Sequence, residues 1–149
     1  MSIKATYIFS ESEVSDIASE LVNELVDIAP KDQAVVVTLS GDLGAGKTTL
    51  TQHIGKTLGI ETYITSPTFV IMKRYETRHD IFDTLIHIDA YRLSSWVDLE
   101  MLDISKWIHR PGTLIIIEWP EKISDMNIRP SMKWSLDIVE DHRRELSVM

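Results

Sequence analysis

The stretch AVVVTLSGDLGAGKTT, residues 34–49, decides how the rest of this chain is read. Its first part, Ala34–Leu39, is a continuous run of apolar and β-branched residues. Such a run predicts a central strand buried on both faces. Its second part, Gly41-Asp42-Leu43-Gly44-Ala45-Gly46-Lys47-Thr48, matches G-x-x-x-x-G-K-[ST] at every position. Beyond it Leu50, Ile54 and Leu58 recur every fourth residue, which predicts a helix with one packed face that stops at Gly59. Strand, glycine-rich turn and helix in this order make a phosphate cradle. Glycines let the backbone close around phosphate oxygens where side chains would collide. The loop amides and the positive end of the following helix face the anion. Lys47 is placed to reach the β- and γ-phosphates, and Thr48 offers a hydroxyl to Mg²⁺.

Outward from that core, Ala5–Phe9 reads as a short strand. Ser10 opens a helix, with Glu13 at capping-box spacing. The apolar stripe of Val14, Ile17, Leu21, Val22 and Leu25 runs to a stop before Pro30. Thr68–Glu76 and Thr84–Asp89 predict two strands joined as an antiparallel hairpin by the polar segment between them. Val97–Ile108 predicts one helix that breaks at Pro111-Gly112. Thr113–Ile117 reads as another buried strand. Met132, Trp134, Leu136 and Ile138 alternate with polar residues as a half-exposed strand does, and Asp141-His142 turns the chain into a last strand, Arg143–Val148. With no repeat or linker to divide the chain, the expectation is a single P-loop-type α/β domain over residues 1–149. A mixed parallel and antiparallel sheet is flanked by helices.

Two carboxylates fall at the ends of apolar strands. Asp89 follows Leu85–Ile88 and Glu118 follows Leu114–Ile117. In an α/β sheet such ends are where ligands collect, and P-loop proteins commonly hold Mg²⁺ through an acid so placed. One acid would order Mg²⁺ and its waters while the other orients the attacking water. Local sequence leaves open which does which. Thr65-Ser66-Pro67-Thr68 follows the cradle helix, so its hydroxyls are candidates to sense a γ-phosphate, with a plain turn before a strand as the alternative. Trp119 is read as stacking on a base, meeting a partner or packing at a turn. Arg92 is read as a phosphate contact or as the partner of an acid. His53, His79, His87, His109 and His142 are scattered without metal-ligand spacing, so no zinc site is expected. The guanine-reading segment Asn-Lys-x-Asp is absent, which favours adenine.

Composition narrows the class further. The chain has 149 residues, 44% apolar and 26% charged, with no cysteine and a net charge of −8. Disulfides and thiolate metal sites are excluded, which fits a reducing compartment. Acidic surplus argues against autonomous nucleic-acid binding, which relies on clustered Lys and Arg. Neither a signal-peptide core nor the run of roughly 20 apolar residues needed to cross a bilayer is present. A cytoplasmic protein without membrane attachment is expected.

Four segments stand in order: GDLGAGKTT at 41–49, SPTF at 66–69, HIDAYRL at 87–93 and IEWPEKI at 117–123. Together they resemble the TsaE family, bacterial ATPases needed to make threonylcarbamoyladenosine in tRNA. The resemblance implies an ATP and Mg²⁺ site in which Gly41–Thr49 cradles phosphate, with Lys47 and Thr48 as the phosphate and magnesium residues. Ser66, Pro67 and Thr68 would form a switch-like loop. Asp89 would be the strand-end acid for Mg²⁺, and Glu118, beside Trp119, an acid of the ATPase site. It further implies two partners, TsaB and TsaD, of which TsaD transfers the threonylcarbamoyl group to adenosine 37 of tRNAs reading codons that begin with A. The chain itself would then reach tRNA only through that complex. It departs from the family in carrying Leu102-Asp103 where a Leu-Gly pair is usual. Asp accepts a left-handed backbone better than most residues, so the turn is expected to survive. The runner-up reading is a P-loop small-molecule kinase, although no Arg-rich lid is evident.

Overall fold

In the computed structural model, which describes residues 2–67 and 70–149, the buried strand and its helix form as the sequence requires. β1 is Ala5–Phe9, β2 Val35–Ser40, β3 Met72–Glu76, β4 Thr84–Asp89, β5 Thr113–Glu118, β6 Met132–Ile138 and β7 Arg144–Val148. Among the described residues these strands make one seven-stranded sheet, ordered β1-β7-β6-β2-β5-β4-β3. The inner strands β6, β2, β5 and β4 run parallel. β3, β7 and β1 add antiparallel edges. The α/β class and the mixed sheet are therefore as expected.

Among the described residues four α-helices cover the sheet: α1 Val14–Ile28, α2 Lys47–Thr57, α3 Trp96–Glu100 and α4 Ile104–Ile108. Strand side chains alternate in direction, and β2, β4 and β5 are buried on both sides. Val35, Val37, Leu39, Leu114 and Ile116 pack with α1 and α2. Val36, Ile86, Ile88, Ile115 and Ile117 pack with α3 and α4. Each such side chain contributes about 1.5–3 kcal/mol when fully buried. Chain order also sets the site. From β2 the chain crosses to β3 at the sheet edge, returns through β4 and β5, then passes to β6 on the far side of β2. The C-terminal ends of β2, β5 and β4 thereby frame a switch point, where ligands settle in open α/β sheets.

The capping turn forms before α1: the Ser10 backbone N–H donates to the Glu13 carboxylate at 3.0 Å. A short 3₁₀ turn, Glu11–Glu13, precedes the α-helix, which ends at Ile28 ahead of Pro30. Two further differences from expectation exceed one residue. The strand expected over Thr68–Glu76 begins at Met72, after a turn in which Ile71 has φ +67° and its N–H donates to the Pro67 carbonyl. The helix expected over Val97–Ile108 is two helices. They break at Asp103, which adopts φ +60°, ψ +34°. The apolar stripe continues through that break because Leu99 and Ile104 both enter the same core. Periodicity alone therefore hides it. The left-handed turn survives on aspartate, as its short polar side chain allows.

Candidate functional site

The loop between β2 and α2 is shaped by close packing against the β6–β7 hairpin. A Cβ on Gly41 would lie 2.5 Å from the Leu136 carbonyl oxygen, a distance real side chains do not reach. Gly46 caps α2 at φ +102°, a conformation glycine adopts without strain. The loop closes on itself through the Ala45 N–H, which donates to the Asp42 carbonyl at 3.0 Å. From β7, Arg144 Nε donates to the Ala45 carbonyl at 2.7 Å. α2 then starts at Lys47, so its free N–H groups and positive end face the loop interior.

Lys47 is 6% exposed. Its Nζ donates to the Gly41 carbonyl and, at 3.0 Å, to the Asp42 carbonyl. The ammonium also lies 4.2 Å from the centre of the Trp119 ring, a cation–π contact. Burial pushes its pKa below the ordinary lysine value, while Glu118, Glu121, Asp89 and Asp42 pull it back up. The lysine is thus held across the loop by carbonyls, an indole face and surrounding acids.

β4 and β5 deliver the two strand-end acids. Asp89 and Glu118 are register partners on these parallel strands, and Leu39 of β2 is the partner of Glu118 on its other side. Both acids are buried, at 7% and 3% exposure. The Asp89 carboxylate accepts from the Tyr91 backbone N–H at 3.0 Å. The Glu118 carboxylate meets Nε2 of His87, which is fully buried on β4. Directly after Glu118, Trp119 takes a left-handed backbone (φ +58°, ψ +49°). That turn lays its ring against Lys47 and edge-on to Tyr91, with centroids 5.0 Å apart.

Loop, acids and aromatics surround one cleft of about 480 Å³. Of the residues singled out from sequence, Leu43, Gly44, Gly46, Lys47, Thr48 and Thr49 line its loop side. Ser66, Asp89, Glu118 and Trp119 line the rest. Gly41, Asp42 and Ala45 lie in the same loop but outside the cleft lining; Ala45 turns its methyl into the core. Thr68 lies outside the described residues. Arg92 is on the lining, and so are Tyr91 and Arg144, which were not singled out. Tyr91 had a signal, since it lies two residues after the strand-end acid. Arg144 had none, because only the hairpin fold brings it to the loop.

A Thr48 hydroxyl and two carboxylates are hard oxygen donors of the type Mg²⁺ prefers. Among the described residues no group of three or more His, Asp or Glu side chains gathers to hold a metal unaided. A hydroxyl and carboxylates suit an ion that keeps several waters and shares phosphate oxygens. The residues present fit Mg²⁺ on these terms. Among the described residues, no helix is long and apolar enough to cross a membrane.

The family model of threonylcarbamoyl adenosine biosynthesis protein TsaE matches residues 8–146. Three relatives bear the name tRNA threonylcarbamoyladenosine biosynthesis protein TsaE. One from Streptomyces coelicolor is 46% identical over 86 residues, 58% of this chain and 57% of the relative. A second from Rickettsia felis is 34% identical over 141 residues, covering 94% of this chain and 76% of the relative. The third, from Bacillus subtilis, is 35% identical over 75% of this chain and 67% of its own length. The crystal structure of Bacillus subtilis YdiB superposes with a TM-score of 0.70 at 27% identity, covering 99% of this chain and 86% of that one.

Proposed function

The chain belongs to the TsaE family, and from that premise we propose that it binds and hydrolyses ATP with Mg²⁺ in support of tRNA threonylcarbamoylation. It acts with TsaB-like and TsaD-like proteins in the cytoplasm, on the route to modified adenosine 37 in tRNAs reading codons that begin with A. It is not the transferase and reaches tRNA through those partners. The observation that carries this reading is the convergence of Lys47, Asp89 and Glu118 on one cleft.

Each residue has a part set by its surroundings. The loop amides and the N-terminus of α2 hold the phosphate chain. Lys47 exchanges its bonds to the Gly41 and Asp42 carbonyls for phosphate oxygens, and the Trp119 face keeps the ammonium aimed into the cleft. Thr48 and Asp89 would hold the metal, directly or through water, and Mg²⁺ held there would neutralise phosphate charge. Glu118 accepts a hydrogen bond from the attacking water and orients it in line with the γ-phosphorus. Ser66, which lines the same cleft, responds to the presence of the γ-phosphate.

Reconstituted tRNA modification tests the role. With the chain present and TsaB-like and TsaD-like partners supplied, modified adenosine should accumulate over several turnovers and ATP should be consumed to inorganic phosphate. Modification that proceeds equally without the chain would contradict the role. Label appearing on a small-molecule acceptor would instead favour a kinase.

A further inference from the structure

His87 has no part in the chemistry above, yet it is buried directly behind it. It sits two residues before Asp89 on β4 and so faces the same side of the sheet. Its neighbours along the strand are the apolar Ile86 and Ile88, and its register partners are Lys73 and Ile116. The side chain is 0% exposed. Its Nε2 meets the Glu118 carboxylate, and its Nδ1 has no hydrogen-bond partner among the described residues. A fully buried imidazole carries a desolvation cost that an apolar residue, such as its register partner Ile116, would avoid. What it adds is one N–H at a fixed place against Glu118.

We propose that His87 is a positioning residue for Glu118: its Nε2–H holds one carboxylate oxygen, so that the other is committed to the cleft and to the attacking water. The inference rests on the role given to Glu118 above. The proton has a definite place. An ionised carboxylate offers only lone pairs, so Nε2 must be the donor. A proton on the partnerless Nδ1 would leave a buried donor unsatisfied, which is the more costly arrangement. Carboxylates at metal sites are commonly fixed by such a second group, and removing it costs about 10- to 100-fold in activity; the same scale is expected for a carboxylate that orients water. Without His87, Glu118 would keep its charge but lose its single orientation. Nucleotide would still bind, because the loop, Lys47 and Asp89 do not depend on this contact.

Two measurements test it on the full-length chain. In the first, nitrogen NMR of the labelled imidazole reads the tautomer without nucleotide. Nε2 protonated and Nδ1 bare is expected, with the Nε2 signal moving in Glu118→Gln. A bare Nε2, or a signal indifferent to Glu118→Gln, overturns the proposal. In the second, turnover is read with partner proteins and affinity with a non-hydrolysable ATP analogue. His87→Met, apolar and of similar size, should lower kcat about 10- to 100-fold with analogue affinity little changed. His87→Gln, whose amide N–H reaches the place of Nε2, should recover most of that loss. His87→Met should add nothing in a Glu118→Gln background. Unchanged kcat in His87→Met, or a full further loss in the double variant, overturns the proposal. If His87→Met does not fold, the NMR readout and His87→Gln decide. If the wild-type chain releases no phosphate with its partners, the ATPase reading fails by itself, and the NMR coupling still decides whether His87 holds Glu118.

Discussion

Asp89 and Glu118 stand side by side as register partners at the C-terminal ends of β4 and β5, each closed on its strand side by a different donor. Asp89 accepts a backbone N–H from the turn it begins, whereas Glu118 is held by a buried imidazole from the neighbouring strand. Adjacent carboxylates in unlike settings are suited to unlike tasks.

Their substitutions should therefore separate. Asp89→Asn should weaken Mg²⁺-dependent ATP binding, seen as a lost metal requirement in calorimetric titrations. Glu118→Gln should leave ATP affinity within a few-fold and lower turnover by about 10²-fold or more. Lost affinity with unchanged turnover in Glu118→Gln would contradict its assignment.

Lys47→Met keeps length and apolar bulk but removes the ammonium that bridges the loop carbonyls and meets the Trp119 ring. Turnover should fall by about 10²–10³-fold, the scale of losing one pre-placed charge donor at a phosphoryl group. Fluorescence of the tryptophans offers a second readout, since Trp119 loses its cation. Normal turnover in Lys47→Met would contradict the role of the loop.

Much of this site was legible in the sequence, for physical reasons. β2, β4 and β5 are apolar on both faces, so they announced themselves as runs, and the acids closing two of them marked the sheet end. The glycine-rich loop was legible because Gly41 and Gly46 are required by a close approach and a left-handed backbone. Partnerships across strands were not. His87 reads locally as one more scattered histidine, and its contact with Glu118 exists only once β4 and β5 align in register. Arg144 reaches Ala45 from the other end of the chain through the β6–β7 hairpin. The break between α3 and α4 was masked by an apolar stripe that the core continues across it.

That break supplies a stability test. Asp103 holds φ +60°, ψ +34°, where a Cβ is unfavourable. Asp103→Gly should be neutral or stabilising, whereas Asp103→Val should destabilise by about 1–2 kcal/mol in urea unfolding. Equal stability of the glycine and valine variants would show that the backbone at this turn relaxes.

The hairpin end carries a pH test. Arg110 donates to Asp83 at 2.7 Å and, with a lesser contribution from Thr84, holds its carboxyl below the ordinary value of 3.8. The folded state therefore binds this proton more weakly than the unfolded chain does. The stabilisation is fully present above the unfolded value and is lost as pH falls through the lower folded one. In unfolding measured against pH, wild type and Asp83→Asn should differ at neutral pH and converge in that acid range. High salt should shrink the difference, because the pair is largely exposed. A gap that persists at the lowest pH would contradict the ion-pair origin.

The central claim, that residues 41–48 cradle a triphosphate, is tested most directly by a crystal structure of the chain with Mg²⁺ and a non-hydrolysable ATP analogue. The β- and γ-phosphates are expected inside the loop, with Lys47 Nζ turned from the Gly41 and Asp42 carbonyls to phosphate oxygens and the metal between Thr48 and Asp89. Phosphates bound elsewhere, with Lys47 still on its own carbonyls, would contradict it.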